Sequence, residues 1–196
     1  MKELLVISVC YLIGSIPFSF IFSRFLGGVD IRSKGTGNVG ATNVFRTLGI
    51  KIALLSLLGD LMKGAVAAWL GLSLGGIELA ALSTVAVVAG HCWPVFLGFR
   101  GGKGVSTSAG AILVLMPPIG LVLLTIFATV IYVSRFVSLG SVCAAVLLPL
   151  LALIMHQPWQ YFFMCLALAA MVLFRHRTNI ERLRQGNERK FNEKVS

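Results

Sequence analysis

Residues 103–134 read KGVSTSAGAILVLMPPIGLVLLTIFATVIYVS, an apolar stretch that two adjacent prolines interrupt. A proline has no N–H for a helical hydrogen bond, and it restricts the conformation of the residue before it. As a single helix, this stretch gives the chain six membrane spans. As two short helices that meet at Pro117-Pro118, it gives seven. The choice decides which face of a membrane the basic C-terminal tail reaches.

The composition of the chain is that of a membrane protein. Of its 196 residues, 57% are hydrophobic and 12% are charged, and the mean hydropathy is +0.91. Soluble proteins average about 25% charged residues, and a membrane-spanning helix needs about 17–25 apolar residues. Five further segments are predicted to span: Leu4–Phe22, Ile52–Leu74, Leu79–Leu97, Phe136–Met155 and Trp159–Phe174.

The seven-span arrangement separates the charges well. One face receives Arg24, Arg32, Lys34, Arg46, Lys51, Arg100, Lys103, Arg135 and the basic tail, and the other receives Lys2 and short turns. Basic loops face the cytoplasm, so we predict an all-α bundle with the N-terminus outside and the C-terminus cytoplasmic. Five spans with two re-entrant segments keep the same orientation. Residues 1–196 form one predicted domain.

The net charge of +10 fits cytoplasmic loops of a membrane protein better than nucleic-acid binding. A basic face also attracts anionic lipid and phosphorylated metabolites. The four cysteines stand singly in apolar stretches, without the spacing of a zinc or redox site. No cluster of acidic residues predicts a metal, and no motif predicts a covalent acyl-enzyme. We therefore expect no metal and no cofactor.

The first of three polar segments, residues 33–43, reads SKGTGNVGATN. It matches GxGxxG, but a membrane helix precedes it, where a dinucleotide site requires a strand. A glycine loop that enters a helix at Ala41–Leu48 is still suited to an anion. The residues predicted to hold it are Ser33, Gly35, Thr36, Gly37, Asn38, Gly40, Thr42, Asn43 and Arg46. The alternative is an ordinary loop with a topogenic arginine.

The second segment, residues 98–107, reads GFRGGKGVST. It fails the P-loop pattern because Gly104 stands where Ser or Thr should hold magnesium. A Gly-Gly-Lys-Gly turn that enters a helix at Val105 remains a phosphate cradle, with Lys103 as a point charge. Its predicted binding residues are Gly101, Gly102, Lys103, Gly104, Ser106 and Thr107. The alternative is a flexible topogenic loop.

The third segment, residues 175–182, begins where the last span ends. His176 and Asn179 are three residues apart, so a helix places them on one face, which Arg182 continues. Glu188 either pairs with a basic residue or is solvated. Charges within a span are expensive and usually functional, so Asp60 and Lys63 either form a pair that orients the bundle or contact substrate. His91 lines a pocket or is a core histidine.

These segments, in this order, resemble the bacterial acyl-phosphate:glycerol-3-phosphate acyltransferases, the PlsY family. The resemblance covers essentially the whole chain. The matching stretches are Gly14–Pro17, Ser33–Asn43 with Arg46, Asp60–Gly64, Gly90-His91 with Pro94, Gly101–Gly104 with Ser106-Thr107, and His176 with Asn179–Leu183 and Gly186–Glu188. The chain departs from the family pattern mildly, at Val39, where Pro is usual, and at Ser106, where Ala is common.

The resemblance implies transfer of a fatty acyl group from acyl phosphate to the 1-hydroxyl of glycerol 3-phosphate, giving lysophosphatidic acid. It implies that Ser33, Arg46, His176 and Asn179 serve activity. Ser138 and Ser141 are assigned to the pocket or to structure. The enzyme is expected in the bacterial plasma membrane as a monomer with a cytoplasmic active site. A separate acyl carrier protein phosphate acyltransferase would supply acyl phosphate.

The reaction chemistry leaves the proton acceptor open. Acyl phosphate is already activated, so no protein nucleophile is needed, and the proton goes either to His176 or to a phosphate oxygen. Two rival classes also fit parts of the chain. A transporter of a phosphorylated solute would use Asp60, Lys63 and the helix broken at Pro117-Pro118. A non-catalytic lipid-binding scaffold would not need His176, Asn179 and the glycine-rich loops together.

Overall fold

The computed structural model describes residues 1–193. Its described part is helical and contains no strand. The helices are α1 Lys2–Ser15, α2 Phe18–Gly27, α3 Ala41–Leu48, α4 Ile50–Cys92, α5 Val105–Leu115, α6 Pro117–Ser134, α7 Val137–Ile154, α8 Trp159–Arg175 and α9 Arg177–Arg184. Short 3-10 turns lie at Ile31–Ser33 and Val95–Leu97. The prediction of an all-α membrane fold is confirmed.

Prolines separate helices at two places in the chain. At Pro117-Pro118, α5 ends and α6 begins, with the prolines in the first turn, where the missing N–H costs nothing. The two-helix interpretation of residues 103–134 is therefore confirmed. The predicted span Leu4–Phe22 is also divided, because α1 ends at Ser15 and Pro17 precedes α2. The single-helix expectation for that span was wrong.

Helix α4 is 43 residues long and folds back on itself. Gly75 and Gly76 have non-helical dihedral angles, and the φ of Gly76 is +67°, which glycine adopts at little steric cost. The two arms then pack side by side, since a Cβ added to Gly71 would lie 2.7 Å from the Cα of Ala80. The second arm ends at Cys92 and not at the predicted Leu97, because Pro94 disfavours helix in Trp93.

Close backbone contacts hold the arms of α4 to their neighbours. A Cβ on Gly14 of α1 would overlap the Val87 carbonyl, and one on Gly64 of α4 would overlap the Thr107 carbonyl of α5. Small residues at helix interfaces let backbones approach in this way inside membranes. The hydrophobic core lies along α1, both arms of α4 and α8, and includes Cys10, Val87 and Leu168.

A buried polar cluster, which we call the Lys63 cluster, joins three of these segments. Its members are Asp60 and Lys63 on the first arm of α4, His91 on the second arm, and the carbonyl of Ile16 at the α1–α2 break. Lys63 Nζ lies 2.8 Å from Asp60 Oδ1 and donates to the Ile16 carbonyl at 3.0 Å, and His91 Nδ1 lies 3.4 Å from Asp60 Oδ1. Asp60 and Lys63 thus pair with each other, which is one of the two predicted alternatives.

By length and composition, four helical segments of residues 1–193 are able to cross a membrane. They are Lys2–Gly27, Ile50–Leu97, Pro117–Ser134 and Val137–Ile154. A fifth results if α8 and α9, which are bent by 60° at their junction, count as one span. Helix α5, with 11 residues, is shorter. The three polar segments and the chain beyond α9 meet at one end of the bundle, where they enclose a cavity.

Candidate active site

The cavity has a volume of about 420 Å³, and all three polar segments contribute to its wall. The predicted site residues that line it are Thr36, Asn38, Gly40, Thr42, Asn43, Arg46, Asp60, His91, Lys103, Gly104, Ser106, Ser138, Ser141, His176, Asn179, Arg182 and Glu188. Elements far apart in sequence therefore converge on one site.

Seven predicted residues are not among those that line the cavity: Ser33, Gly35, Gly37, Lys63, Gly101, Gly102 and Thr107. Ser33 is exposed, and its Oγ donates to the Asp30 carbonyl at 2.9 Å. Thr107 is fully buried where α5 meets α4. Lys63 belongs to the Lys63 cluster described above. Ser33 would have to turn toward the cavity to take part in chemistry there.

The first polar loop is organised by one buried side chain. The Asn43 amide donates to the carbonyls of Ile31, Lys34 and Asn38 at 3.0–3.2 Å, and its oxygen accepts from the Thr36 N–H at 3.0 Å. Gly35 and Gly37 take positive φ angles of 61° and 69° around it. Helix α3 begins at Ala41 as predicted, with Gly40 as its N-cap.

Arg46 bonds to the chain beyond α9. Its Nη2 donates to the carbonyls of Arg189 and Lys190 at 3.0 and 2.9 Å, while its buried Nε has no partner within residues 1–193. Next to it, the rings of Phe45 and Phe191 stack with centroids 4.7 Å apart. Glu188, Arg189 and Phe191 form part of the cavity wall, and of these sequence reasoning found only Glu188.

The second polar loop is bonded on both sides. The N–H groups of Gly101 and Gly102 donate to the carbonyls of Cys92 and His91 at 3.2 and 3.0 Å. Their own carbonyls accept from Arg175, at 2.6 and 2.9 Å. These two glycine amides are therefore already bonded within the protein, so what this loop presents to the cavity is Lys103, Gly104 and Ser106.

A hydrogen-bonded chain joins Lys103 to the third segment. Lys103 Nζ donates to Asn179 Oδ1 at 2.5 Å, and Asn179 Nδ2 donates to Glu188 Oε1 at 2.6 Å. Ser138 and Arg182 also donate to Glu188, each at 2.8 Å. Glu188 thus pairs with a basic residue, as one predicted alternative required. Burial raises the pKa of Glu188, but these three hydrogen bonds outweigh it and leave the pKa below its usual value.

Lys103 is the most perturbed cation of the site. Burial lowers its pKa to about 8, and the nearby charge of Glu188 opposes that shift. Desolvation disfavours the charged form of an amine, so an anion placed beside it recovers electrostatic energy. Together with Arg46 and Arg182, it gives the cavity a surplus of positive charge suited to a phosphate.

His176 follows the last residue of α8, and Asn179 lies on the same face of the chain, as predicted. The Nδ1 atom of His176 lies 2.8 Å from the Val172 carbonyl. A carbonyl only accepts, so Nδ1 carries the proton and Nε2 is left as an acceptor. Burial, aided by the charge of Lys103, lowers the pKa of His176 to about 4, so the ring is neutral at pH 7.

The cavity also has an apolar wall, formed by Ile50, Ala53, Leu54 and Leu57 of α4 with Phe127, Ile131 and Val137. The α4 residues are spaced by three and four, a helical face that could have been recognised in the sequence. Thr178 and Arg189 were also missed. No group of three or more His, Cys, Asp or Glu side chains within residues 1–193 is arranged to hold a metal.

Comparison with known proteins identifies the family. A sequence model described as glycerol-3-phosphate acyltransferase matches residues 4–186. The chain belongs to the PlsY family of glycerol-3-phosphate acyltransferases. A curated relative named glycerol-3-phosphate acyltransferase, from Syntrophomonas wolfei, is 54% identical over 195 residues. The alignment covers 100% of this chain and 100% of the relative. Another, from Thermoanaerobacter sp. strain X514, is 44% identical, with 100% of this chain and 98% of the relative covered.

Two crystal structures of PlsY, described as an integral membrane glycerol 3-phosphate acyltransferase, have the same fold. The glycerol 3-phosphate form superposes with a TM-score of 0.94 and covers 98% of this chain and 96% of its own. The lysophosphatidic acid form gives a TM-score of 0.92, covering 98% and 97%. Each is 36% identical to this chain. The expected resemblance to the PlsY family and the integral membrane fold are confirmed.

Proposed function

We propose that the protein transfers a fatty acyl group from acyl phosphate to the 1-hydroxyl of sn-glycerol 3-phosphate. The products are 1-acyl-sn-glycerol 3-phosphate and phosphate, and the reaction begins phospholipid synthesis. The observation that carries this proposal is a single cavity that joins Lys103, Arg46 and Arg182 to an apolar wall between α4 and α6. Such a site suits two phosphorylated substrates, one with a long chain.

The proposed topology is one domain with seven spans, N-terminus outside and C-terminus cytoplasmic. The two arms of α4 then count separately, and α5 crosses as a short span buried among its neighbours. This arrangement puts the cavity and the basic loops on the cytoplasmic side of the bacterial plasma membrane. Acyl phosphate, made by a separate enzyme, would reach the site through the lipid-facing apolar wall of a monomer.

The three cations offset the repulsion between two phosphates held in one cavity. Lys103 is a compact point charge, and each arginine offers a planar fork. Hydroxyl and amide groups of Thr36, Asn38, Thr42 and Ser106 add neutral hydrogen bonds. Holding the two reactants in a reactive geometry contributes about 7–11 kcal/mol to lowering the barrier.

The proposed reaction is direct attack without an acyl-enzyme. The glycerol oxygen forms the new ester bond to the acyl carbon, and the bond from that carbon to the bridging oxygen breaks as phosphate leaves. The hydroxyl proton goes to a phosphate oxygen of the donor, since the lowered pKa of His176 makes its Nε2 a weak base. In this scheme His176 accepts a hydrogen bond and orients the hydroxyl.

The deciding experiment is acyl transfer by the purified protein in detergent, with labelled glycerol 3-phosphate. Palmitoyl phosphate, palmitoyl-CoA and palmitoyl carrier protein are offered separately, and Lys103→Ala is assayed alongside. Product from palmitoyl phosphate alone, lost in the variant, is the expected result. Product from either thioester would overturn the proposed donor. No product from any donor would reject the enzyme and lead to a flux assay in proteoliposomes.

A second experiment separates the two proton acceptors. His176→Gln keeps a hydrogen-bonding side chain but cannot take a proton, whereas His176→Ala removes both. We expect His176→Gln to retain more kcat than His176→Ala, because orientation is the proposed role. Equal, near-complete loss in both variants would support the histidine as base.

A further inference from the structure

Arg175 is outside the cavity, yet it bonds to the loop that carries Lys103. Its Nη2 donates to the Gly101 carbonyl at 2.6 Å, and its Nε donates to the Gly102 carbonyl at 2.9 Å. Its guanidinium carbon lies 5.9 Å from the centre of the Trp93 ring. One planar fork thus holds two successive carbonyls of a loop more than 70 residues away, a geometry that suits arginine and not lysine.

The other side of the same loop is held by the end of α4. Besides the two backbone bonds to His91 and Cys92, close packing against the ring and the carbonyl of His91 closes this face. A Cβ added to Gly102 would overlap the His91 ring, and one added to Gly101 would overlap the His91 carbonyl. The loop is therefore held between the end of α4, through backbone hydrogen bonds, and Arg175, through its guanidinium group.

The segment that carries Arg175 also holds the far end of Lys103. Asn179, four residues further on, accepts the hydrogen bond from Lys103 Nζ. The 60° bend between α8 and α9 separates these two contacts. Residues 175–179 therefore hold the two glycines that precede Lys103 through Arg175, and the ammonium group of Lys103 through Asn179.

We propose that Arg175 is a positioning residue, which sets the place of the Lys103 ammonium group in the cavity by holding the carbonyls of Gly101 and Gly102. This inference rests on the proposed function. It assigns to the arginine that precedes His176 a role distinct from that of a positive charge in a cytoplasmic tail. The role is exerted through Lys103 and not by contact with substrate.

The test is a double-mutant cycle between Arg175→Ala and Lys103→Ala. The affinity for glycerol 3-phosphate is measured by calorimetry in detergent for wild type, both single variants and the double variant. KM and kcat with palmitoyl phosphate are measured for wild type and Arg175→Ala, which keep Lys103. Arg175→Ala is expected to raise the Kd and KM for glycerol 3-phosphate about tenfold, the effect of losing one charge-assisted hydrogen-bond pair. In the Lys103→Ala background, the same change should have little further effect, because residues that act through one group are not additive.

Arg177→Ala is the matched control. Arg177 is exposed, and it contacts the Phe174 carbonyl and ring but not the glycine loop. The Arg177→Ala variant should leave KM for glycerol 3-phosphate unchanged. Arg175→Lys keeps the positive charge but has a single donor atom. Its Kd and KM for glycerol 3-phosphate should lie between those of wild type and Arg175→Ala. The thermal transition of each variant is recorded, so that unfolding is recognised separately.

The outcomes distinguish this inference from the proposed function. Equal effects of Arg175→Ala with and without Lys103 would show a general structural role and overturn the inference. Unchanged affinity for glycerol 3-phosphate in Arg175→Ala would overturn it as well. If wild-type protein binds glycerol 3-phosphate but forms no product, the proposed reaction fails while the binding cycle still decides the role of Arg175.

Discussion

The two glycine-rich loops of this protein have similar compositions but are stabilised in different ways. The loop at residues 33–43 is held from inside, by the Asn43 side chain, which makes three hydrogen bonds to the loop backbone and a fourth to the Ile31 carbonyl just before it. The loop at residues 98–104 is held from outside, by the end of α4 and by Arg175. The first loop is thus locally determined, whereas the second depends on a helix that comes 70 residues later.

The difference shows what glycine contributes at such a site. In both loops, several amides that would cradle a phosphate are already bonded within the protein, including those of Thr36, Gly37, Gly101 and Gly102. Glycine here permits tight turns and close packing. The positive charge comes from the side chains that the loops position, Arg46 and Lys103.

Removing the Asn43 side chain, which holds the loop at residues 33–43, should have the largest effect on stability and activity. Asn43→Ala loses four hydrogen bonds at a buried position, and we expect it to lower the free energy of unfolding by about 2–4 kcal/mol. Acyl transfer should fall at least about 100-fold, because the loop and the start of α3 form one wall of the cavity. The measurements are the thermal transition in detergent and kcat/KM. Lys34→Ala, an exposed change in the same loop, should leave the transition unchanged, and an unaltered transition in Asn43→Ala would contradict this account.

Crowding the contact between the loop at residues 98–104 and the end of α4 should have the next largest effect on activity. In Gly102→Ala, the new methyl group overlaps the His91 ring, so either the ring or the loop must shift. We expect kcat/KM to fall about 10- to 100-fold, as small displacements of a positioning group typically do. Gly98→Asn is the control, since no atom lies within 4 Å of a Cβ there and asparagine tolerates its positive φ. Near-normal activity of Gly102→Ala would mean that the loop does not need its contact with α4.

The pH dependence tests which charge the outer loop supplies. The pKa of Lys103 is lowered to about 8 by burial, with Glu188 opposing the shift and Arg182, Arg46 and Arg175 adding to it. The ammonium form binds the anion, so kcat/KM for glycerol 3-phosphate should be constant from about pH 7, where the substrate phosphate is largely doubly ionised, up to that pKa, and should fall as the pH rises through it. Because kcat/KM reports the free enzyme, the fall should begin near pH 8. Lys103→Arg, which stays charged, should move this limb to higher pH; an unchanged limb would assign it to another group.

The smallest expected effect concerns the contact between α3 and the chain beyond α9. Phe191→Ala removes the stack on Phe45 but leaves the carbonyls that bind Arg46. An aromatic pair is worth about 0.5–1.5 kcal/mol, so KM for glycerol 3-phosphate should rise about two- to tenfold with kcat unchanged. Asn192→Ala is the neighbouring control. A loss of kcat equal to that of Arg46→Ala would show that the stack, and not the arginine, orders residues 188–191.

The sequence predicted the parts of the fold that depend on local chemistry. The break at Pro117-Pro118, the helix Ala41–Leu48, the start of α5 at Val105 and the common face of His176 and Asn179 follow from prolines, glycines and helical spacing. The break at Pro17 follows the same rule, but it lies inside an otherwise continuous apolar run and was missed.

Contacts between distant segments could not be predicted in this way. The bond from Arg46 to the carbonyls of Arg189 and Lys190 joins residues more than 140 positions apart, and nothing in either local pattern indicates it. The same holds for Arg175, whose charge alone is typical of any cytoplasmic tail. Ser33 was assigned to the site as a polar residue of the glycine-rich loop and by resemblance, whereas its hydroxyl bonds to Asp30 because the turn at Ile31–Ser33 brings that carbonyl close.

The Lys63 cluster has a consequence for how the chain is made. A lysine or aspartate at the centre of an inserting helix costs about 2.5–3.5 kcal/mol. Asp60 and Lys63 enter the bilayer on the same arm of α4, each beside its counter-charge, and the Ile16 carbonyl that Lys63 needs belongs to a segment synthesised earlier. His91 arrives last, on the second arm. The partners of Asp60 and Lys63 thus lie on α1 to α4, and these helices are suited to enter the membrane as one unit.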